Sequence, residues 1–268
     1  MIVGMDFGTT NSGLAVFDDH VKLIPIDSRN PSAPHVVRTT LYISRHYEHY
    51  IGRRAIDEYY ERNQGRPIKL RKQHVGTIEL NYASLGTFYR DVFVWVDELE
   101  PGRLFRSMKT YLADEDFLGT SVWGRFYTME DLVSVFLYLS KVQAEKELGK
   151  ELTEIVLGRP VRFATDPEAD TLAEERLARA AILAGYERVH FALEPVAAAF
   201  HYQQSLTSSQ RILVFDFGGG TLDITIMEMD GSGKRRVLST EGVRIAGDAF
   251  DKQIVMAKLA RHFGAELR

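Results

Sequence analysis

Two short segments, one near each end of the chain, place an aspartate after an apolar run and follow it with small and hydroxyl-bearing residues. The first reads MDFGTTNSG from Met5, and the second reads DFGGGTLD from Asp216. Small residues allow several backbone N–H groups to converge on one anion. Further donors come from the side chains of Thr9, Thr10, Asn11 and Thr221. Each segment therefore has the composition of a phosphate-binding loop.

The aspartates indicate a metal ion as a second partner of the two loops. A carboxylate at Asp6 or Asp216 would repel a phosphate directly, but it can hold Mg²⁺ through water while the ion bridges to the phosphates. Two such loops that face each other would grip one polyphosphate from both sides, which gives the repetition a physical reason. The alternative for either loop alone is a tight hairpin turn, because glycine is common in such turns.

Three other phosphate motifs are excluded. The chain has no G-x-x-x-x-G-K-[ST] segment, and both loops lead into a strand where a P-loop leads into a helix. The GGGT turn does not match the G-x-G-x-x-G pattern of dinucleotide-binding folds. The Asp-Phe-Gly triplets match a protein-kinase motif, but no catalytic loop of the H-R-D type precedes Asp216. The kinase match is therefore coincidental.

The repetition extends from the loops to the strands around them. The first copy has the strands IVGMDF, GLAVFD and VKLIPI, and the second has ILVFDF, LDITIMEM and RRVLSTEG. Apolar runs separated by turn residues predict a three-stranded meander in each copy. Because solenoid repeats recur every few tens of residues, this wide separation instead indicates two homologous lobes.

Helices and strands occupy the chain between the two meanders. The segment from Met129 to Leu148 has apolar residues on one face and capping-box residues at Thr128 and Asp131, so it predicts a helix. The remaining predictions are a strand from Glu154, a helix stopped by Gly185, the strand VHFALE, a helix with Pro195 at its first position, and a helix from Ala249 to Phe263.

The predicted domain organisation follows from this order of elements. Residues 1–205 form a first lobe, and residues 206–268 form the N-terminal part of a second lobe. Between about residues 53 and 103 the chain is polar and aromatic, with a basic run from Lys69 to His74 and a strand-like VFVWV segment from Val92. We interpret this region as an insertion that forms a small subdomain, with the basic run on a solvated face.

Composition limits the classes of partner and location. The 268 residues carry 33 basic and 37 acidic side chains, and the net charge of −4 predicts binding neither to nucleic acid nor to a membrane surface. No apolar run approaches the ~20 residues of a membrane span, and we expect no signal peptide at the acidic first segment. With 0 cysteines the chain has no disulfide and no thiolate metal site, which is compatible with the cytoplasm.

Five segments resemble, in the same order, segments of one protein family. MDFGTTNSG, GRPVRF, LEPVAAAF, DFGGGTLD and RIAGDAFD are similar to the ATPase domain of the heat shock protein 70, or DnaK-type, chaperones. The resemblance spans most of the chain and is weakest over residues 53–103. GRPVRF and EPVAA are more similar to a divergent, chaperone-like branch of the family than to its central chaperones. The resemblance implies an α/β fold of the actin and sugar-kinase type, with duplicated ribonuclease-H-like lobes that each contain a mixed five-stranded sheet and helices.

The resemblance also implies ATP and ADP as nucleotides, Mg²⁺ as the metal, and a role for each matched residue. Asp6 and Asp216 would organise Mg²⁺ through water. Lys109 would support attack on the γ-phosphate, and Glu194 would position the attacking water. The two phosphate loops would be formed by Gly8, Thr9, Thr10 and Asn11, and by Gly218, Gly219, Gly220 and Thr221, with Gly247 as a further nucleotide contact.

Several of these roles have plain structural alternatives. Lys109 could be an exposed helix lysine. Glu194 could be a helix-start acid next to Pro195, where any helix favours a negative charge. Asp216 and Thr221 are the remaining expected catalytic residues, and Asp223 is expected as a supporting acid. Pro160 and Arg162 resemble a hinge that reports the nucleotide state to a substrate domain, although a proline at a strand end is also ordinary.

The chain also departs from the family's pattern. The later strands and helices of the second lobe, the adenosine-contacting helix and the peptide-binding domain do not follow, and Ala246 stands where the family has a glycine. We therefore expect an N-terminal fragment with an incomplete second lobe, so that unfolded polypeptide clients and co-chaperones would bind through regions outside it. The alternatives are a non-catalytic actin-like scaffold or filament module, and a sugar kinase, for which no general-base aspartate is identified.

Overall fold

A computed structural model of the protein describes residues 1–82, 86–203, 205–243 and 245–263. The first meander consists of β1 (Ile2–Phe7), β2 (Asn11–Asp18) and β3 (His20–Leu23). Alternate residues of β1 are buried, namely Val3, Met5 and Phe7, as the period of two in the sequence predicts. β3 is shorter than the predicted VKLIPI strand, because Pro25 has no N–H to donate to a strand ladder.

The chain between the first meander and Ser107 forms a second sheet, a helix and a two-stranded ribbon. Its elements are β4 (Val37–Arg38), β5 (Thr40–Ser44), β6 (His49–Ile51), α1 (Gly52–Asn63), β7 (Leu70–Tyr82), β8 (Gly86–Asp97) and β9 (Gly102–Arg106). β4 pairs with β2 of the first sheet, whereas β5 lies between β6 and β9 in an antiparallel sheet of its own. Among the described strands, β7 pairs only with β8, and the predicted VFVWV strand is part of β8.

The sequence pattern does not predict α1, because this helix has little apolar surface. Ala55 is its buried side chain. Ion pairs one turn apart stabilise the helix instead, with Arg53 and Asp57 at 2.9 Å and Arg62 and Glu58 at 2.8 Å. Hydrophobic periodicity is a weak signal for a helix of this kind, since most of its residues are charged or polar.

The predicted helix from Met129 to Leu148 is confirmed, together with its capping box. Elements from Ser107 onward are a 3₁₀ helix (Met108–Tyr111), β10 (Gly119–Val122), β11 (Arg125–Thr128), α2 (Met129–Leu148), β12 (Glu154–Arg159), α3 (Pro167–Leu183), β13 (Arg188–Leu193) and α4 (Glu194–Gln203). At the start of α2 the Asp131 N–H donates to the Thr128 hydroxyl at 3.1 Å, and the Thr128 N–H donates to the Asp131 carboxylate at 2.9 Å.

The first sheet is mixed, which confirms the predicted α/β class. Its main path runs in the order β13, β12, β1, β2, β3, with β1 parallel to β12 and antiparallel to β2. Core side chains of the sheet and of α2 meet at Phe7 and Phe136, whose ring centroids are 5.8 Å apart. The C-terminal ends of the parallel strands β1, β12 and β13 therefore lie at the same edge of the sheet. The loops and helices that follow these strands begin at that edge.

The second meander consists of β14 (Gln210–Phe217), β15 (Leu222–Met229) and β16 (Arg235–Val243), followed by α5 (Gly247–Ile254). The helix predicted from Ala249 to Phe263 is only partly regular. It continues past α5 as a π-helical turn over Val255–Leu259 and a 3₁₀ turn over Ala260–Phe263. None of the residues described in these three segments is buried, so packing does not impose a single helical repeat.

Helix α4 joins the two sheets. It contacts β12 and β13 of the first sheet and β14 and β15 of the second meander. On the side of the second meander, Ala199 packs in a small cluster with Met227 and Met229. Across the described ranges, no helix is long and apolar enough to cross a membrane.

We expect Gly52→Ala to destabilise the fold by about 2–4 kcal/mol. Gly52 has φ +64°, and an added Cβ would lie 2.5 Å from the Asp27 carboxylate and 2.7 Å from a methyl of Val37. That carboxylate accepts a hydrogen bond from the Arg53 N–H at 2.9 Å, at the start of α1. Urea unfolding followed by circular dichroism measures the loss in free energy of unfolding.

Gly65→Ala is the matched control for this prediction. Gly65 has a similar φ of +69°, but an added Cβ meets no atom within 4 Å. Only the backbone strain of about 1–2 kcal/mol then applies. Equal losses in the two variants would show that the contact with Asp27 does not constrain position 52.

Candidate functional site

The two predicted phosphate loops lie in direct contact with each other. A Cβ added to Gly219 would be 2.6 Å from the Thr10 hydroxyl oxygen, and one added to Gly220 would be 3.0 Å from the Thr9 hydroxyl oxygen. Real Cβ atoms do not approach other atoms so closely, so this packing depends on glycine. The loops therefore meet across the boundary between the first sheet and the second meander.

The first loop is a tight connection between β1 and β2. A Cβ on Gly8 would lie 2.2 Å from the carbonyl oxygen of Asn11, which excludes any other residue at this position without a rearrangement of the loop. The Thr39 N–H donates to the carbonyl of Thr10 at 2.9 Å, and the Thr39 and Ser12 hydroxyls lie 2.8 Å apart. The bend between β4 and β5 therefore holds the loop in place.

The second loop connects β14 with β15 and is held by the start of α5. The Gly218 N–H donates to the carbonyl of Thr221 at 2.9 Å. From α5, the Gly247 N–H donates to the Gly218 carbonyl at 3.1 Å, and the Asp248 N–H donates to the Gly219 carbonyl at 2.8 Å. The structure thus gives Gly247 a supporting contact to the loop rather than a position in the cavity.

A cavity of about 240 Å³ lies between the loops. It brings together all of the residues predicted from the sequence to bind nucleotide or metal or to act in catalysis, except Gly220 and Gly247; the expected supporting acid Asp223 also lies outside it. The lining residues are Asp6, Gly8, Thr9, Thr10, Asn11, Lys109, Glu194, Asp216, Gly218, Gly219 and Thr221. A larger and more open depression of about 460 Å³ nearby includes Asp114, Glu115 and Asp166 in its lining. Its charged lining residues are all acidic, so it is unsuited to a phosphate.

Lys109 and Glu194 form an ion pair inside the cavity between the two loops. The Lys109 ammonium lies 2.5 Å from the Glu194 carboxylate, and the two side chains are only 8% and 16% exposed. Glu194 is the first residue of α4 and packs against Gly158, where an added Cβ would lie 3.1 Å from the Glu194 Cγ. Both charged groups are therefore held in fixed positions, and Lys109 is not an exposed helix lysine.

The 3₁₀ helix that carries Lys109 is fixed at both ends. Before it, Ser107 has φ +53°, and its hydroxyl donates to the Asp248 carboxylate at 3.2 Å. After it, the buried Arg176 guanidinium donates to the carbonyls of Leu112 at 3.0 Å and Asp114 at 2.7 Å. These contacts connect the lysine to the second loop on one side and to α3 on the other.

Burial and charge determine the electrostatics of the cavity. Burial raises the pKa of Glu194 above its usual value, although the Lys109 ammonium opposes this change. Burial also raises the pKa of Asp6, with Lys109 again opposing and Asp216 adding to the rise. Three carboxylates therefore share one lysine. A site of this kind gains from a bound cation, since a cation would lower the energy of the ionised carboxylates.

Asp223 lies behind the second loop and opposite Asp216 in the pairing of β14 with β15. It is buried, and its carboxylate accepts a hydrogen bond from the Val161 N–H at 3.3 Å. Burial raises its pKa, and a hydrogen bond with Thr221 opposes the rise. The segment after β12 that holds Pro160 is thus in contact with the second meander, and Arg162 lies 3.7 Å from Glu241 on β16.

Sequence reasoning missed five residues that support the site: Thr39, Ser107, Gly158, Arg176 and Asp248. Gly158 and Asp248 lie inside the GRPVRF and RIAGDAFD segments, so their motifs carried a signal. Thr39 and Ser107 lie in segments with no motif, and only the folded chain brings them to the loops.

The donor set fits a nucleotide with a divalent cation. The glycine-lined loops have room for phosphate oxygens next to backbone N–H groups, and Asp6 and Asp216 supply carboxylates to an ion held through water. Within the described ranges, no group of three histidine, aspartate or glutamate side chains is arranged to hold a metal ion directly.

A model of the Hsp70 protein family matches residues 2–267 of the chain. The matched range contains both loops, the 3₁₀ helix with Lys109, and the start of α4.

We expect Lys109→Met to reduce the free energy of unfolding by about 3–5 kcal/mol at pH 7, because it leaves the Glu194 carboxylate buried without its partner. The pKa of Glu194 is raised above 4.5 in the folded state, so the folded protein binds more protons than the unfolded chain. Stability therefore falls as pH rises from about 4.5 through the folded-state pKa, and more steeply in the variant.

Urea unfolding between pH 5 and pH 8, with EDTA present, measures this dependence. Glu194→Gln added to Lys109→Met removes the titrating group, so the double variant recovers stability at pH 7 and shows a shallower slope. Lys252→Met, at an exposed lysine of α5, is the control for losing one positive charge. A single variant as stable as the control would contradict the buried ion pair.

Proposed function

Because the chain belongs to the Hsp70 family, we propose that it binds ATP together with Mg²⁺ and hydrolyses the bond between the β- and γ-phosphates. Membership of this family implies that the chain is the nucleotide-binding domain of an Hsp70-like chaperone and has an actin-like ATPase fold. One observation carries the proposal for hydrolysis: the two glycine loops meet around a cavity that contains the Lys109–Glu194 ion pair.

The phosphates would lie between the two loops. Backbone N–H groups of Gly8 to Asn11 on one side and of Gly219 to Thr221 on the other would donate to the phosphate oxygens. Hydroxyl groups of Thr9, Thr10 and Thr221 would add donors that can rotate toward whichever oxygen is nearest. Since the loops belong to different sheets, a bound polyphosphate would also link the two sheets.

Mg²⁺ would be held by Asp6 and Asp216 through water, and when bound it would neutralise charge on the phosphates. Each aspartate is suited to this work because it is the penultimate residue of a strand that leads into a loop, at Asp6 in β1 and at Asp216 in β14. The raised pKa of Asp6 supports the assignment, because a partly desolvated carboxylate next to a second one favours a cation between them.

Lys109 and Glu194 would carry out the two remaining tasks. The Lys109 ammonium would stabilise negative charge that develops on the transferred phosphoryl group, and the Glu194 carboxylate would orient the attacking water. In the structure these two groups bind each other at 2.5 Å. Binding of a triphosphate would therefore compete with Glu194 for the lysine, and this exchange would free the carboxylate for the water.

The finer details of the family's architecture and biology are also proposals for this chain. We propose two ribonuclease-H-like lobes, the first with an inserted subdomain at about residues 53–103 and the second beginning near residue 206. Unfolded polypeptides and co-chaperones are the proposed partners of the protein, and the cytoplasm is its proposed location. The contact of Asp223 with Val161 supports Pro160 and Arg162 as a hinge that reports nucleotide state.

Calorimetric titration with Mg-ADP and Mg-ATP, followed by single-turnover hydrolysis of ATP, tests the proposal. We expect micromolar or tighter binding, which weakens when EDTA removes Mg²⁺. Asp216→Asn should weaken Mg-dependent binding at least tenfold. Lys109→Met should keep nucleotide binding within a few-fold and slow hydrolysis by about 10²–10³, the usual effect of losing one group that stabilises transition-state charge.

Lys252→Met again serves as the control, because its side chain lies on α5 outside the cavity. Binding of Mg-ATP without any turnover would support the alternative of a non-catalytic actin-like scaffold. Absence of nucleotide binding in a folded sample would contradict the phosphate role of both loops.

A further inference from the structure

The turn between β5 and β6 contacts the β10–β11 hairpin at a place whose residues do not line the nucleotide cavity. The Tyr47 hydroxyl, in the turn between β5 and β6, donates to the carbonyl of Trp123 at 2.8 Å. The Arg45 guanidinium carbon lies 4.3 Å from the centroid of the Trp123 ring. The Arg125 guanidinium carbon lies 5.8 Å from that of Tyr47. We call these four residues, Arg45, Tyr47, Trp123 and Arg125, the arginine-aromatic patch.

Both aromatic residues of the patch have left-handed backbone conformations. Tyr47 has φ +62° and Trp123 has φ +49°, in a region that bulky residues rarely occupy. Trp123 and Gly124 form a two-residue hairpin turn with two positive φ angles, a pattern for which Asn-Gly is the favoured sequence. Stability alone would therefore select a different residue at position 123. Strain retained at such positions indicates a use for the side chain.

The two arginines make the patch positively charged. In the part of the chain that the structure describes, no carboxylate lies within 4 Å of the Arg45 or Arg125 guanidinium groups, and both side chains are exposed. Glu48, in the same turn as Arg45, instead pairs with Arg62 at 2.8 Å. The local charge of the patch is therefore opposite in sign to the net charge of the protein, which is −4.

The patch also offers apolar surface next to these charges. Tyr47 is 38% exposed and Trp123 is 37% exposed, so each ring presents part of its surface to solvent. Tryptophan, tyrosine and arginine are the residue types that contribute most to binding energy at protein interfaces. A guanidinium can bind a carboxylate with two parallel hydrogen bonds, and this geometry favours aspartate or glutamate in a partner.

We propose that the arginine-aromatic patch binds an acidic segment of a partner polypeptide that also carries an apolar side chain. The carboxylates would pair with Arg45 and Arg125, and the apolar side chain would pack against Trp123. Nucleic acid is the less favoured ligand, because two arginines neutralise few phosphates and the protein as a whole is acidic. The site is independent of the nucleotide cavity, whose lining contains none of the four residues.

Fluorescence anisotropy tests this inference with two labelled probes. One is a twelve-residue peptide made of two copies of the sequence Glu-Glu-Leu-Glu-Glu-Phe, and the other is a strand of twelve thymidine nucleotides. We expect micromolar binding of the peptide in low salt, weakened several-fold in 0.5 M NaCl. A peptide with glutamine in place of every glutamate should bind at least tenfold more weakly.

Three variants separate a binding role from a structural role. Trp123→Asn should weaken peptide binding at least tenfold while leaving the melting temperature unchanged or higher, because asparagine suits the turn. Arg45→Glu combined with Arg125→Glu should abolish peptide binding. Trp95→Asn is the matched control, since Trp95 is the other of the 2 tryptophans and is 67% exposed on β8. It should bind the peptide as tightly as the unchanged protein.

Three results would overturn the proposal. The first is equal binding of the glutamate and glutamine peptides. The second is tighter binding of the thymidine strand that is lost in the same variants, which would make the patch a nucleic-acid site. The third is a lowered melting temperature of Trp123→Asn with unchanged peptide binding, which would give Trp123 a purely structural role.

Discussion

The buried ion pair between Lys109 and Glu194 is the constraint on which the rest of the site depends. Two charges removed from water are tolerated only when each remains within reach of the other and of further polar groups. Their separation of 2.5 Å must therefore be maintained by the backbone around them. The Arg176 guanidinium holds the chain after the lysine through backbone carbonyls, and Gly158 allows α4 to begin directly against β12.

Helix α4 places this ion pair at the junction of the two sheets. Because the helix contacts β12 and β13 on one side and β14 and β15 on the other, a small rotation of either sheet would change the position of Glu194. The glycine contacts between the loops act in the same place, since Gly219 leaves no room for a side chain next to Thr10. Chemistry at the cavity and the relative orientation of the sheets are thus mechanically connected.

The features that the sequence could predict are those that depend on residues close together in the chain. The loops, the first meander and the capping box of α2 depend on neighbouring residues, so their patterns are visible in the chain. Lys109 became a candidate only through the family resemblance, because its partner Glu194 is remote in sequence. Helix α1 was hidden by its polar stabilisation, and the regularity of the last helix was overestimated because no packing supports it. The turn at Tyr47 carries no turn signal and the turn at Trp123 carries only Gly124, since their other left-handed positions are occupied by aromatic residues.

The β7–β8 ribbon has a consequence for how the protein can vary among its relatives. Its two strands pair only with each other in the described structure, and its base is fastened where the Arg66 guanidinium lies 2.5 Å from the Asp97 carboxylate. Insertion or removal of one residue in each strand would change the length of the ribbon by about 3.3 Å and leave the register at the base intact. The length of the ribbon can therefore change in paired steps without disturbing the register at its base.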